Sequence, residues 1–124
     1  MNTREIAKKD LLDLFEVFET SVDMLSVEQI TLVRFFQNTP IYRVIAKMAG
    51  VNEATIARRL KKIARRISSD DFTAALSLKD DVPPEKIKII RNHFVNGMSA
   101  RAIAKNTGLS YYKINIIIRE MRNL

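Results

Sequence analysis

A chain of 124 residues, 47% of them hydrophobic and 28% charged, suffices for one ordinary domain or two very small ones, each with a real core. The absence of cysteine removes disulfides, thiolate chemistry and zinc-finger ligation, and suits a reducing compartment. With 21 Lys and Arg against 14 Asp and Glu, no apolar run of spanning length and no apolar signal core after Met1, the expected setting is cytoplasmic and nucleoid-associated, with no membrane partner.

The first expected helix is capped by Asn2 or Thr3 and runs to about Thr20. Leu11, Phe15, Phe18, Val22 and Leu25 alternate at spacings of four and three, a stripe widened by Leu12, Leu14 and Val17. Asp10, Asp13, Glu16, Glu19 and Asp23 occupy much of the remaining surface, so this helix should face away from phosphates. It either covers the core that follows or offers its stripe to a partner, most simply a second copy in a homodimer.

Ser26-Val27-Glu28-Gln29 reads as a capping box opening a helix with Ile30, Val33 and Phe36 or Phe35 inward. Thr39-Pro40 reads as a cap with proline at the first helical position, giving a helix that ends near Ala49. After Gly50, Asn52 caps a third helix running through Arg66. Ser68-Ser69-Asp70-Asp71 breaks the chain, and Phe72, Ala75 and Leu76 suggest a short connecting helix. The linker Lys79 to Pro84 opens a further helix at Pro84, which Asn96-Gly97 ends. Ser99 and Ser110 cap the last two helices.

This order is a repeat. Ile45-Ala46-Lys47-Met48-Ala49-Gly50-Val51 with Ile56 returns as Ile103-Ala104-Lys105-Asn106-Thr107-Gly108-Leu109 with Ile114. Small Ala46 and Ala104 allow close helix approach, Gly50 and Gly108 permit a positive φ in the turn, and Ile56 and Ile114 plug one helix onto the other. Upstream, Glu28, Ile30 and Arg34 match Glu85, Ile87 and Arg91 at an offset of 57, and Asn38, Arg43 and Ile45 match Asn96, Arg101 and Ile103 at 58. No alternating strand pattern accompanies either copy. The expected fold is all-α: an N-terminal amphipathic helix (1–25), a three-helix helix–turn–helix unit (26–67), a linker with a short helix (68–83) and a second such unit (84–124).

Charge is unevenly placed. Residues 1–40 hold four Lys and Arg against seven acids, residues 41–69 hold eight against Glu53 alone, and residues 70–124 hold nine against six. Cations concentrated on the first helix–turn–helix are the electrostatic footprint of a surface that meets phosphates. In such a motif the second helix enters the major groove. Its outward positions are Asn52, Glu53, Ala54, Ala57, Arg58 and Lys61, beside Thr55. Arg58 has the fork for guanine, Glu53 accepts from cytosine, and Asn52 suits adenine or phosphate. Arg59, Lys61, Lys62, Arg65 and Arg66 would hold phosphates along the helix, with Arg43 and Lys47 as backbone clamps on the helix before. In the second copy the matching surface is Ser110, Tyr111, Tyr112, Lys113, Asn115, Ile116 and Arg119, with Arg101 and Lys105 on the preceding helix. Arg58 has become Ile116 beside Ile114, Ile117 and Ile118, which implies burial on more than one face. Tyr111 and Tyr112 either meet phosphates and thymine methyls or close the core as lids.

Residues 83–121 resemble the DNA-binding tail of Hin-type recombinases and resolvases through Pro83-Pro84-Glu85-Lys86-Ile87, Gly97-Met98-Ser99-Ala100-Arg101-Ala102-Ile103-Ala104, Gly108-Leu109-Ser110 and Ile114. Residues 26–66 resemble region 4 of bacterial sigma factors, or repressor headpieces, through Arg43, Ile45-Ala46, Gly50-Val51 and Ile56. Both resemblances imply DNA binding in a prokaryote, phage or mobile element. Arg59 departs from the pattern, which has an aliphatic residue three after Ile56; Leu60 is the substitute.

The expected function is sequence-specific binding of double-stranded DNA by a transcription regulator reading adjacent major grooves, about one helical turn apart. One alternative is a sigma or anti-sigma type adaptor that docks its acidic N-terminal helix on RNA polymerase; another is an interaction module without DNA. No enzyme, metal or cofactor is expected. His93 is the only histidine, and Asp70-Asp71 and Asp80-Asp81 fall at helix starts or in the linker, where capping accounts for them.

Overall fold

The computed structural model describes residues 7–78 and 82–122, and every regular element among them is an α-helix. The chain divides into two compact units, Met1–Ile67 and Ser68–Leu124. The caps proposed at Asn2 and Thr3, and Lys79 to Asp81 of the linker, lie outside the described residues.

In the first unit α1 (Lys8–Val17) ends sooner than the stripe implies, because the backbone leaves helical geometry at Phe18. A short α2 (Glu19–Val22) follows. The break does not disturb the burial pattern: Leu11, Phe15, Val22 and Leu25 are all in the core. The stripe thus covers its own unit, and α1 packs on both α3 (Val27–Asn38) and α5 (Glu53–Ile67). Val17, 76% exposed, and Met24 remain outside. Ser26 caps α3 by accepting from the Gln29 N–H at 3.4 Å, and Phe36 rather than Phe35 enters the core. Its ring meets Phe15 edge-on at 6.1 Å and stacks on Tyr42 at 5.8 Å. Burial raises the Tyr42 phenol above its ordinary pKa.

The next helix, α4 (Tyr42–Ala49), does not begin at Thr39-Pro40. Thr39 ends α3, its N–H donating to the Phe35 carbonyl at 2.7 Å, and takes a non-helical backbone (φ −137°, ψ 84°), as a following proline disfavours the helical region there. The Ile41 carbonyl then accepts from Val44 and Ile45, so the helix starts two residues later than the proline suggests. At its end Gly50 adopts φ 71°, and its N–H and that of Val51 both return to the Ala46 carbonyl. A Cβ at Gly50 or Gly108 would meet nothing within 4 Å. Backbone conformation, not crowding, therefore requires glycine at both turns. On α5, Ile56, Leu60, Ile63, Ala64 and Ile67 are buried, whereas Arg59 is exposed.

The second unit holds four helices among the described residues. Ser69 caps α6 (Asp70–Leu76), whose Phe72 and Ala75 are buried, and α6 packs on α7 (Pro84–Phe94). Asn96-Gly97 does not terminate α7 directly. The helix stops at Phe94, the Asn96 and Met98 N–H groups return to the Arg91 and Asn92 carbonyls, and Gly97 takes φ 74° within that closing turn. Ser99 caps α8 (Ala100–Thr107), and Gly108 (φ 78°) joins it to α9 (Tyr111–Arg122). Ile114, Ile117, Ile118 and Met121 form a single buried face of α9. Ile116 lies on the other side and is half-buried. Its neighbours in sequence close the core because a 3.6-residue period places 114, 117, 118 and 121 together and 116 apart.

Candidate nucleic-acid interface

The start of α5 is fixed by its own side chains. Asn52 Oδ1 accepts from the Thr55 N–H at 2.8 Å and from the Thr55 hydroxyl at 2.9 Å. A bidentate adenine contact needs the amide oxygen as well as the nitrogen, so Asn52 serves as a cap rather than as a base reader. Thr55 is committed to the same cap. Glu53 stands exposed in the first turn.

Beyond the cap, Ala54, Ala57, Arg58, Lys61 and Arg65 line one shallow depression on the outer side of α5. Helical periodicity puts these positions on one face. The two alanines keep the first turns low, so a surface as deep as a groove floor can approach, and the three cations continue the same line toward the C-terminus. Arg58 and Arg65 are exposed and Lys61 is half-exposed. Arg43 and Lys47 are exposed on α4. The chain's own core occludes none of these charges; among the described residues no polar or charged side chain is buried.

Three other cations have different surroundings. Arg59 and Lys62 are exposed but border an apolar groove between α3 and α5, off the outer line. Arg66 is half-buried and donates to Gln29 Oε1 at 2.8 Å, tying α5 to α3. Loss of solvation lowers its guanidinium pKa. The phosphate role expected for Arg66 therefore gives way to a structural one.

In the second unit Ser110 accepts from the Lys113 N–H at 3.1 Å, and Asn115 Nδ2 donates to the Tyr111 carbonyl at 3.1 Å. Both side chains thus serve the first turns of α9. Arg101, expected among the DNA-contacting residues, lies 4.6 Å over the Tyr111 ring and joins α8 to α9. Tyr112 is 72% exposed, so it is no lid on the core. Lys105, Lys113 and Arg119 are exposed. Ile116 replaces the central cation of the first unit, so this surface has fewer charges and more ring area. His93 faces the Met98 carbonyl through Nδ1 at 2.8 Å and abuts Phe94, a structural placement.

Comparison with known proteins adds no relative. No family model, no curated protein and no solved structure matches the chain. No group of three or more potential metal-ligating side chains occurs among the described residues, and none of the described helices is long and apolar enough to cross a membrane.

The caps on Asn52 and Ser110 could have been separated from base readers in the sequence, since both stand directly before a helix. The apolar groove is what sequence reading missed. Its one signal was Arg59 in a place where packing prefers an aliphatic side chain.

Proposed function

We propose that this chain binds double-stranded DNA, that the outer face of α5 is its reading surface, and that it regulates transcription. The supporting observation is the outer line of Ala54, Ala57, Arg58, Lys61 and Arg65 on the helix that follows a glycine turn, its members exposed or half-exposed, with Arg43 and Lys47 exposed on the helix before. Small residues followed by cations on one helical face suit insertion into a major groove, with phosphates on either side. Arg58, nearest the alanines, takes the base-reading role; Lys61, Arg65, Arg43 and Lys47 position the backbone. The second unit contributes through Tyr112 and Lys113 at the start of α9, Lys105 at the end of α8 and Arg119 toward the end of α9, with Arg101 held against Tyr111.

The adaptor reading draws less support, because Leu11 and Phe15 of the acidic helix are spent on the unit's own core. Selection of bound duplexes from random sequence, followed by anisotropy titration of Arg58→Ala, tests the proposal. Arg58→Ala is expected to cost about 1–3 kcal/mol on the selected site and to relax preference at one base position. Uniform weakening on all duplexes would reassign Arg58 to phosphate, and no salt-sensitive binding to any duplex would end the proposal.

A further inference from the structure

Within the first unit an open groove of about 780 Å³ runs between α3 and the α4–α5 pair. Buried Ile45, Ile56 and Ile63 lie along its floor, and Met48, 73% exposed, forms part of its wall. Arg59, Lys62 and Arg66 follow one another along the α5 edge, whereas Glu28 stands on the α3 side.

The repeat supplies an internal comparison. At the offset of 58, Arg59 corresponds to Ile117, Met48 to Asn106 and Lys62 to Glu120. Ile117 is buried and completes the second unit's core. One scaffold is thus closed by an aliphatic side chain in one copy and left open beneath a guanidinium in the other. The DNA-facing line on α5 gains nothing from this opening, since Arg59 and Lys62 lie on a different flank of the helix. Apolar surface left open beside a polar rim is the usual sign of a contact surface.

We infer that the groove docks an amphipathic helix of a partner protein whose flank toward α5 is acidic. The occupant follows from the shape and the charge. Arg59 and Lys62, both exposed, stand one turn apart on α5, and Arg66 one turn farther is already bound to Gln29. Two cations so placed meet carboxylates on successive turns of a helix lying beside them. Glu28 opposite gives the groove a charged side and fixes which flank of the incoming helix carries its acids. Leucine-type side chains at helical spacing would cover Met48, Ala49 and the half-buried Leu32 and Phe35 above that floor.

The test uses the full chain without DNA, so its result is independent of the DNA-binding proposal. A labelled four-turn peptide with leucines on one face and glutamates on one flank is titrated by fluorescence anisotropy, beside the same peptide with lysines for glutamates and beside decanoate. The glutamate peptide is expected to bind at least about tenfold tighter than the lysine peptide. Met48→Asp, at an exposed wall position, should weaken it by a similar factor. Arg59→Ile, which fills the groove as Ile117 does in the second unit, should abolish binding while the circular dichroism stays helical. Arg59→Glu combined with Lys62→Glu should reverse the preference toward the lysine peptide. Equal affinity for both peptides, no binding of either, indifference to Met48→Asp, or binding of decanoate in place of the glutamate peptide would each overturn the inference.

Discussion

If the proposed DNA binding holds, its salt dependence measures how many charges the protein brings to phosphates, and the exposed cations set the expected number. The first unit exposes Arg43, Lys47, Arg58, Lys61 and Arg65 on or beside its outer face. If all five neutralise phosphates, log K falls with log salt at a slope of about −4.5, and affinity drops roughly 500-fold between 50 and 200 mM. The second unit adds Arg101, Lys105, Lys113 and Arg119. With both units engaged the slope steepens to about −8. Anisotropy titrations of a fixed duplex at four or more salt concentrations read this slope directly. Arg65→Ala should flatten it by about 0.9 while weakening every sequence alike. A wild-type slope shallower than about −2, or a slope indifferent to Arg65→Ala, refutes the assignment of this face to phosphates.

Gly50→Ala should destabilise the first unit by about 1–2 kcal/mol, a cost that arises from the positive φ alone, as chemical denaturation with an unchanged m-value would confirm. Gly108→Ala should cost the second unit the same, since a Cβ there also meets open space. Leu60→Ala is expected to cost about 2–5 kcal/mol and Arg59→Ala less than about 0.5, and equal effects in urea melts would contradict the packing described for α5. Gln29→Ala, which strips the half-buried Arg66 of a partner, should lower stability by about 1–3 kcal/mol without changing the salt slope of DNA binding.

Much of this arrangement was legible before any coordinates. Gly50 and Gly108 had to take positive φ, and Ile56 and Ile114 had to be core, because both features recur at one spacing in two places. Ser26, Asn52, Ser99 and Ser110 mark helix starts by a local hydrogen bond, which sequence encodes well, whereas at α6 the cap is Ser69 and not the acidic pair Asp70-Asp71. The outward line on α5 followed from the same periodicity. Two features depended on competition that a local reading does not resolve. Thr39 and Pro40 carry the signature of a helix start, but Thr39 is already committed to ending α3. At Phe18 the apolar stripe continues without a gap, and no local residue announces the break in α1. The groove was hidden for a further reason. It exists because one side chain, Arg59, declines a core position, and only the second copy shows what would otherwise have filled it.

Arg34 reaches from α3 to the Glu19 and Asp23 carboxylates, so the four-residue α2 is tethered through ion pairs that remain substantially open to solvent. Such tethers weaken as counterions accumulate. Hydrogen exchange at the amides of residues 19–25 should therefore quicken in 1 M salt, well before the amides of α5 respond. Exchange that fails to quicken would show that buried Val22 and Leu25, rather than the ion pairs, hold this junction closed.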